Sequence, residues 1–131
     1  MTFEDISFKL YKGEILGFSG LVGARRTEVM RAIFGADPLD GGQLFLHGAE
    51  VKIDSTETAL VYGIGLISED RKREGFIPTM SNNRNVNIPG MGKFKKGMLG
   101  LLDEKEMLDN FNNYAELVKL NIRNPEHFTL N

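Results

Sequence analysis

The chain has no cysteine, only two histidines and only four prolines among its 131 residues. Without cysteine there is no disulfide and no thiol chemistry, and the redox compartment is left open. No apolar run reaches the 18 or so residues that a membrane-crossing helix needs, and no signal peptide stands at the start. Charge of one sign is also missing, since the formal net charge is −2 and the isoelectric point about 5.7. That balance gives no global basic field, so nucleic acid is not an expected partner. His47 and His127 stand apart from each other, which argues against a histidine metal site. What is present, 41% hydrophobic and 26% charged residues, has the bulk statistics of one globular domain that can bury a core.

The rest of the chain is organised around residues 15–35. Ile15 to Ser19 reads as a buried strand, Gly20 to Ala24 as a glycine-rich loop, and the following stretch to Phe34 as a short helix. Against the phosphate-loop pattern G-x-x-x-x-G-K-[ST], Gly20 and Thr27 occupy the first and last positions. Arg25 and Arg26 stand where Gly and Lys belong. Successive backbone N–H groups at a helix start, added to the positive end of its dipole, suit an anion such as a nucleotide phosphate. If Arg25 must turn left-handed there, the strain costs about 1–2 kcal/mol, and its side chain lies near the phosphates. Arg26 keeps the charge of the usual lysine but replaces a compact ammonium with a planar fork. Thr27 can offer its hydroxyl to Mg²⁺. A phosphate loop with altered nucleotide binding is the expectation, and a helix start that binds nothing is the bland alternative.

Along the chain, Ile6, Phe8 and Leu10 alternate with polar residues in the period of a half-buried strand, and Lys12-Gly13 supplies a turn. Val29, Met30, Ile33 and Phe34 recur at helical spacing, with Gly35 placed for a left-handed cap. Residues 43–47 and 50–53 flank a hairpin turn. Asp54 with Glu57, and Asp103 with Glu106, make two capping boxes. Ile64 to Ile67 reads as a buried parallel strand leading into the charged loop 68–75. Ser81 caps a short helix stopped by Pro89, and residues 90–100 carry no periodic signal and read as a mobile loop. Lys93, Phe94, Lys95 and Lys96 in it read as ordinary loop residues, with contact to phospholipid or a partner as the alternative. Met107, Leu108, Phe111, Tyr114, Ala115 and Val118 form an apolar stripe on a helix of about 16 to 18 residues.

Three stretches together carry a family resemblance: residues 12–24, residues 63–76 with Ser68-Glu69-Asp70-Arg71-Lys72 at their centre, and Met80-Ser81 through Asn85-Val86. The chain resembles the ATP-binding subunits of bacterial sugar importers of the ABC transporter superfamily. More narrowly it is similar to the first part of the second cassette in the ribose, galactose and xylose type. The resemblance implies an α/β fold, a partial P-loop NTPase with an antiparallel β part and the start of a helical subdomain. It implies that ATP lies on Gly20, Leu21, Val22, Gly23, Ala24, Arg25, Arg26, Thr27 and Glu28, and that Mg²⁺ lies on Thr27 and Glu69. Glu69 stands where most cassettes have a glutamine, and a carboxylate binds a hard cation but cannot donate as an amide does.

No catalytic residue is assigned. The signature helix, the strand with the catalytic carboxylates and the switch histidine of a full cassette are not in these residues, so the chain reads as a fragment that is inactive alone. Its expected domains are a nucleotide-binding core with β subdomain over 1–89, a flexible loop over 90–102 and the start of a helical subdomain over 103–131. The implied partners are a transmembrane permease subunit and a second ATP-binding cassette, with self-association through exposed strand edges as a further expectation. The implied location is cytoplasmic, on the inner face of the membrane through the permease. Three functions are weighed: ATP binding that powers carbohydrate import; a degenerate, non-hydrolysing cassette with a regulatory or scaffolding role; and another phosphate-loop enzyme, such as a small-molecule kinase or a GTPase, whose γ-phosphate clamp or base-specificity motif is not found in these residues.

Overall fold

Local signals at turns and helix ends set most of the secondary structure. The computed structural model describes residues 5–121 and 124–128, and the chain divides into two units, Met1–Leu66 and Ile67–Asn131. Residues 129–131, within the expected helical subdomain, lie outside the described residues.

In the first unit, α1 (Arg26–Ile33) buries Val29 and Ala32. It ends in a Schellman cap: Gly35 N–H donates to Ala32 O at 3.1 Å and Ala36 N–H to Arg31 O at 2.9 Å, with Gly35 at φ +72°. A Cβ on Gly35 would lie 2.6 Å from Ser55 O, so glycine is needed here both for the turn and for the close approach of the backbone at Ser55. Strands β1 (Leu44–Leu46) and β2 (Ala49–Val51) pair antiparallel, Leu44 opposite Val51. His47 (φ +52°) and Gly48 (φ +82°) form the two-residue turn, with the left-handed pair of angles that matches strand twist. The hairpin expected over 43–53 is thus present with shorter strands.

Helix α2 (Thr56–Val61) starts one residue later than expected. Ser55, not Asp54, is its cap, accepting from Thr58 N–H at 3.1 Å, while Asp54 accepts from the Thr58 hydroxyl at 3.2 Å. Gly63 closes it in a second Schellman cap, with Ile64 N–H on Ala59 O at 2.9 Å.

The second unit contains α3 (Arg71–Glu74), α4 (Asn82–Asn87), a 3₁₀-helix (Ile88–Phe94), β3 (Lys95–Lys96), β4 (Leu101–Leu102) and α5 (Glu104–Leu117). Helix α5 is 14 residues long, shorter than its apolar stripe suggested. Met107 and Phe111 are buried, whereas Tyr114 and Val118 at the end of the stripe are exposed. Only half of its expected capping box forms. Asp103 accepts from Glu106 N–H at 2.9 Å, but Asp103 N–H goes to Phe94 O at 2.8 Å, and the Glu106 carboxylate turns to Lys96 at 3.0 Å. Residues 90–100, read as a structureless loop, are occupied by the 3₁₀-helix and the β3–β4 hairpin.

A buried amide cluster joins α4 to α5. Asn87 donates to Asn83 O, Asn83 Oδ1 and Met107 O at 2.8, 2.9 and 3.0 Å, and accepts from Asn110 at 2.7 Å. Asn83 is 2% exposed and donates to Glu126 at 2.9 Å. The first free N–H groups of α4, at Asn82 and Asn83, are satisfied by His127 O and Pro125 O.

Three expected strands are absent. Residues 6–10, 15–19 and 64–67 have no ladder partner among the described residues, and Ile15 is 98% exposed. An apolar alternation becomes a strand only when a neighbour supplies the hydrogen bonds. Phe8 and Phe18 still meet edge to face at 5.0 Å, and the Lys12-Gly13 turn forms, with Glu14 N–H on Tyr11 O at 3.0 Å.

Candidate phosphate-binding loop

The loop of residues 20–25 is built by two glycines and one strained arginine. Ala24 N–H donates to Leu21 O at 3.0 Å, closing a turn whose third residue, Gly23, has φ +87°. A Cβ on Gly20 would lie 2.8 Å from the Ala24 Cβ, so the chain folds back on itself where only glycine fits. Arg25 follows as the N-cap of α1 in the left-handed region, φ 58° and ψ 30°. The sequence posed that conformation as a condition, and the structure meets it. Arg25 makes no side-chain cap bond, while its carbonyl accepts the early helical bond from Val29 N–H at 3.3 Å. Residues 21–26 are exposed, Thr27 and Glu28 are half-buried, and Val29 is buried beneath them.

This arrangement suits an anion. The positive dipole end of an eight-residue helix follows directly on Arg25 and includes Arg26, with Glu28 as the acidic residue of its first turn. The nine residues from Gly20 to Glu28 are brought together as one loop and helix start. Glu69 belongs to the second unit, exposed, one residue before the cap of α3, where Asp70 accepts from Lys72 and Arg73 N–H at 3.1 and 3.2 Å. Among the described residues no three His, Cys, Asp or Glu side chains gather as a metal cluster. A Mg²⁺ on a nucleotide needs none, because phosphate oxygens and water fill most of its shell.

One concavity was not foreseen. A groove of about 770 Å³ is lined by residues 35–39, 41–44 and 50–54 of the first unit. Beside it Arg31 grips Asp37 with both ends of its fork, at 2.8 and 3.1 Å, which holds the Asp37 carboxyl below the usual range. The six-residue separation of that pair matches no helical pairing rule, so the sequence carried no signal for it.

The family model for ABC transporters matches residues 3–129. The chain belongs to the ABC transporter family. Within this family it is 50% identical over 95 residues to the ribose import ATP-binding protein RbsA of Bacillus cereus, covering 72% of the chain and 19% of that protein. It is 41% identical over 128 residues to the galactose/methyl galactoside import ATP-binding protein MglA of Clostridium tetani, covering 98% of the chain and 25% of that protein. The chain therefore spans a quarter or less of the length of these curated relatives. No solved structure matches it. The ABC fold assignment accords with the mixed α/β content, a partial P-loop NTPase with small antiparallel sheets and helices.

Proposed function

We propose that this ABC transporter chain contributes the phosphate-binding part of an ATP-binding subunit that powers carbohydrate import. The observation that carries the reading is the loop itself. Gly20 closes on Ala24, Gly23 is left-handed, and α1 begins directly behind them, within residues that match the family. Gly20, Leu21, Val22, Gly23 and Ala24 would wrap the nucleotide phosphates with backbone N–H groups, and Arg26 would supply the positive charge. Thr27 would offer a hydroxyl oxygen to the Mg²⁺ that neutralises those phosphates when bound. Arg25 would stand beside them as a second cation, and Glu28, in the first helical turn, would favour the helix dipole.

The relatives are named as ATP-binding import proteins, which favours the ATPase role over a scaffolding cassette. On the same reading residues 1–89 form the nucleotide-binding core, 90–102 a connecting segment, and 103–131 the start of the helical subdomain. A permease subunit and a second cassette are the partners, and the place of work is the cytoplasmic face of a membrane. No described helix is long and apolar enough to cross a membrane itself.

Calorimetric titration with Mg-ATP tests the reading, with Gly20→Val as the control. The wild-type chain is expected to bind saturably, and the variant, whose Cβ must push the Ala24 methyl away, to lose most of that heat. Equal binding by both would remove the loop from the account.

A further inference from the structure

The β3–β4 hairpin has a tip of unusual chemistry. Gly100 N–H donates to Gly97 O at 3.2 Å, closing a turn whose central residues are Met98 and Leu99, between glycines at φ +69° and +62°. Turn centres ordinarily carry Gly, Pro, Asn, Asp or Ser. Here Met98 is fully exposed and Leu99 is 85% exposed, with the exposed Leu101 beside them. The base of the hairpin is firmly held. Phe94 is buried, its carbonyl accepts from Asp103 N–H, and Lys96 Nζ reaches Asp103 at 2.5 Å and Glu106 at 3.0 Å. An anchored base thus presents a bare apolar tip.

Charge around the tip indicates what would cover it. Lys96 engages Asp103 and Glu106, and Arg84 engages Glu104 at 2.8 Å. Lys93 and Lys95, both exposed, have no acidic partner among the described residues. Two basic shoulders below an apolar tip complement a surface that is anionic outside and apolar beneath, as a phospholipid interface is. A specific protein interface needs about 1,000 Å² or more, far beyond two side chains and their flanks. We propose that the hairpin tip docks on an anionic membrane surface, with Met98 and Leu99 entering between headgroups and Lys93 and Lys95 facing lipid phosphates. The attachment is weak alone, comparable in kind to a single lipid chain, and acts as a second point of contact.

Co-sedimentation of the full chain with vesicles tests it, using phosphatidylcholine alone and phosphatidylcholine mixed with phosphatidylserine. The wild type is expected to pellet with the anionic vesicles and to be released by high salt. The double change Met98→Ser with Leu99→Ser, at exposed positions that leave the fold intact by circular dichroism, should lower partitioning by about tenfold or more. Lys93→Gln with Lys95→Gln should erase the preference for anionic over neutral vesicles. Failure of the wild type to pellet with anionic vesicles overturns the proposal and leaves a protein partner for the tip. So does unchanged pelleting of the tip variant, which would assign binding to the exposed apolar residues 6–22.

Discussion

Replacing Arg25 with glycine should stabilise the chain. Arg25 is held at φ 58° and ψ 30°, where an L-residue with a Cβ loses about 1–2 kcal/mol relative to its right-handed alternatives. Glycine removes that strain but brings a more flexible unfolded chain, which costs about 0.5–1 kcal/mol. Glycine is also a better N-cap than a residue whose side chain makes no cap bond. The balance is a gain of about 0.5–1 kcal/mol, a two- to fivefold rise in the folding constant. Urea unfolding followed by circular dichroism reads this as a higher midpoint at unchanged slope. Arg25→Ala separates backbone from side chain, because alanine removes the guanidinium but keeps the Cβ, and it should show no gain. A lower midpoint for Arg25→Gly, or an equal gain for Arg25→Ala, would refute the reasoning that the left-handed backbone is what strains this loop.

Other outcomes follow from the same geometry. Gly35→Ala should cost about 1–3 kcal/mol, since it combines a left-handed φ with a Cβ 2.6 Å from Ser55 O, and a urea midpoint within error of wild type would contradict it. Asn87→Ala should lower stability by about 2–3 kcal/mol, by leaving the Asn110 amide and the buried oxygens around it without their partner. The Arg31 fork holds Asp37 below the usual carboxylate range, and hydrogen bonds from Lys96 and from Glu106 N–H do the same to Asp103. Lowered carboxyls stabilise above their unfolded pKa and lose that contribution as pH falls through the folded value, so the urea midpoint should drop below about pH 4. Lys96 is raised by its bonds to Asp103 and Glu106, so its contribution persists through neutral pH and fades only in strong alkali. In Lys96→Met the acid drop should be smaller.

The features legible in the sequence were those with a local cause. The turn read at His47-Gly48-Ala49 was legible, although His47 and Gly48 alone form it and Ala49 joins β2, and Ser81, Asp103 and Gly35 announced helix ends because capping is settled within four residues. At Asp54 the same logic slipped by one position, since Ser55 offers an equivalent oxygen. The strands at 6–10, 15–19 and 64–67 did not materialise, because strand structure depends on a partner that periodicity does not supply. The β3–β4 hairpin was hidden by Met98 and Leu99 in a turn that usually advertises itself with polar residues. The amide cluster of Asn83, Asn87 and Asn110 was invisible because its members meet only through the packing of α4 on α5. At the candidate site, the spacing of Gly20, Gly23 and Thr27 located the loop, and the left-handed angle at Arg25 was foreseen as a cost. The fit of Gly20 against Ala24 needed coordinates.

The most direct measurement is an amide chemical-shift map of the labelled chain titrated with Mg-ATP. Saturable shifts concentrated on residues 20–28 are expected, with inorganic phosphate moving a subset of the same amides. Shifts that are absent, or that gather in the groove lined by residues 35–54 instead, would contradict that expectation.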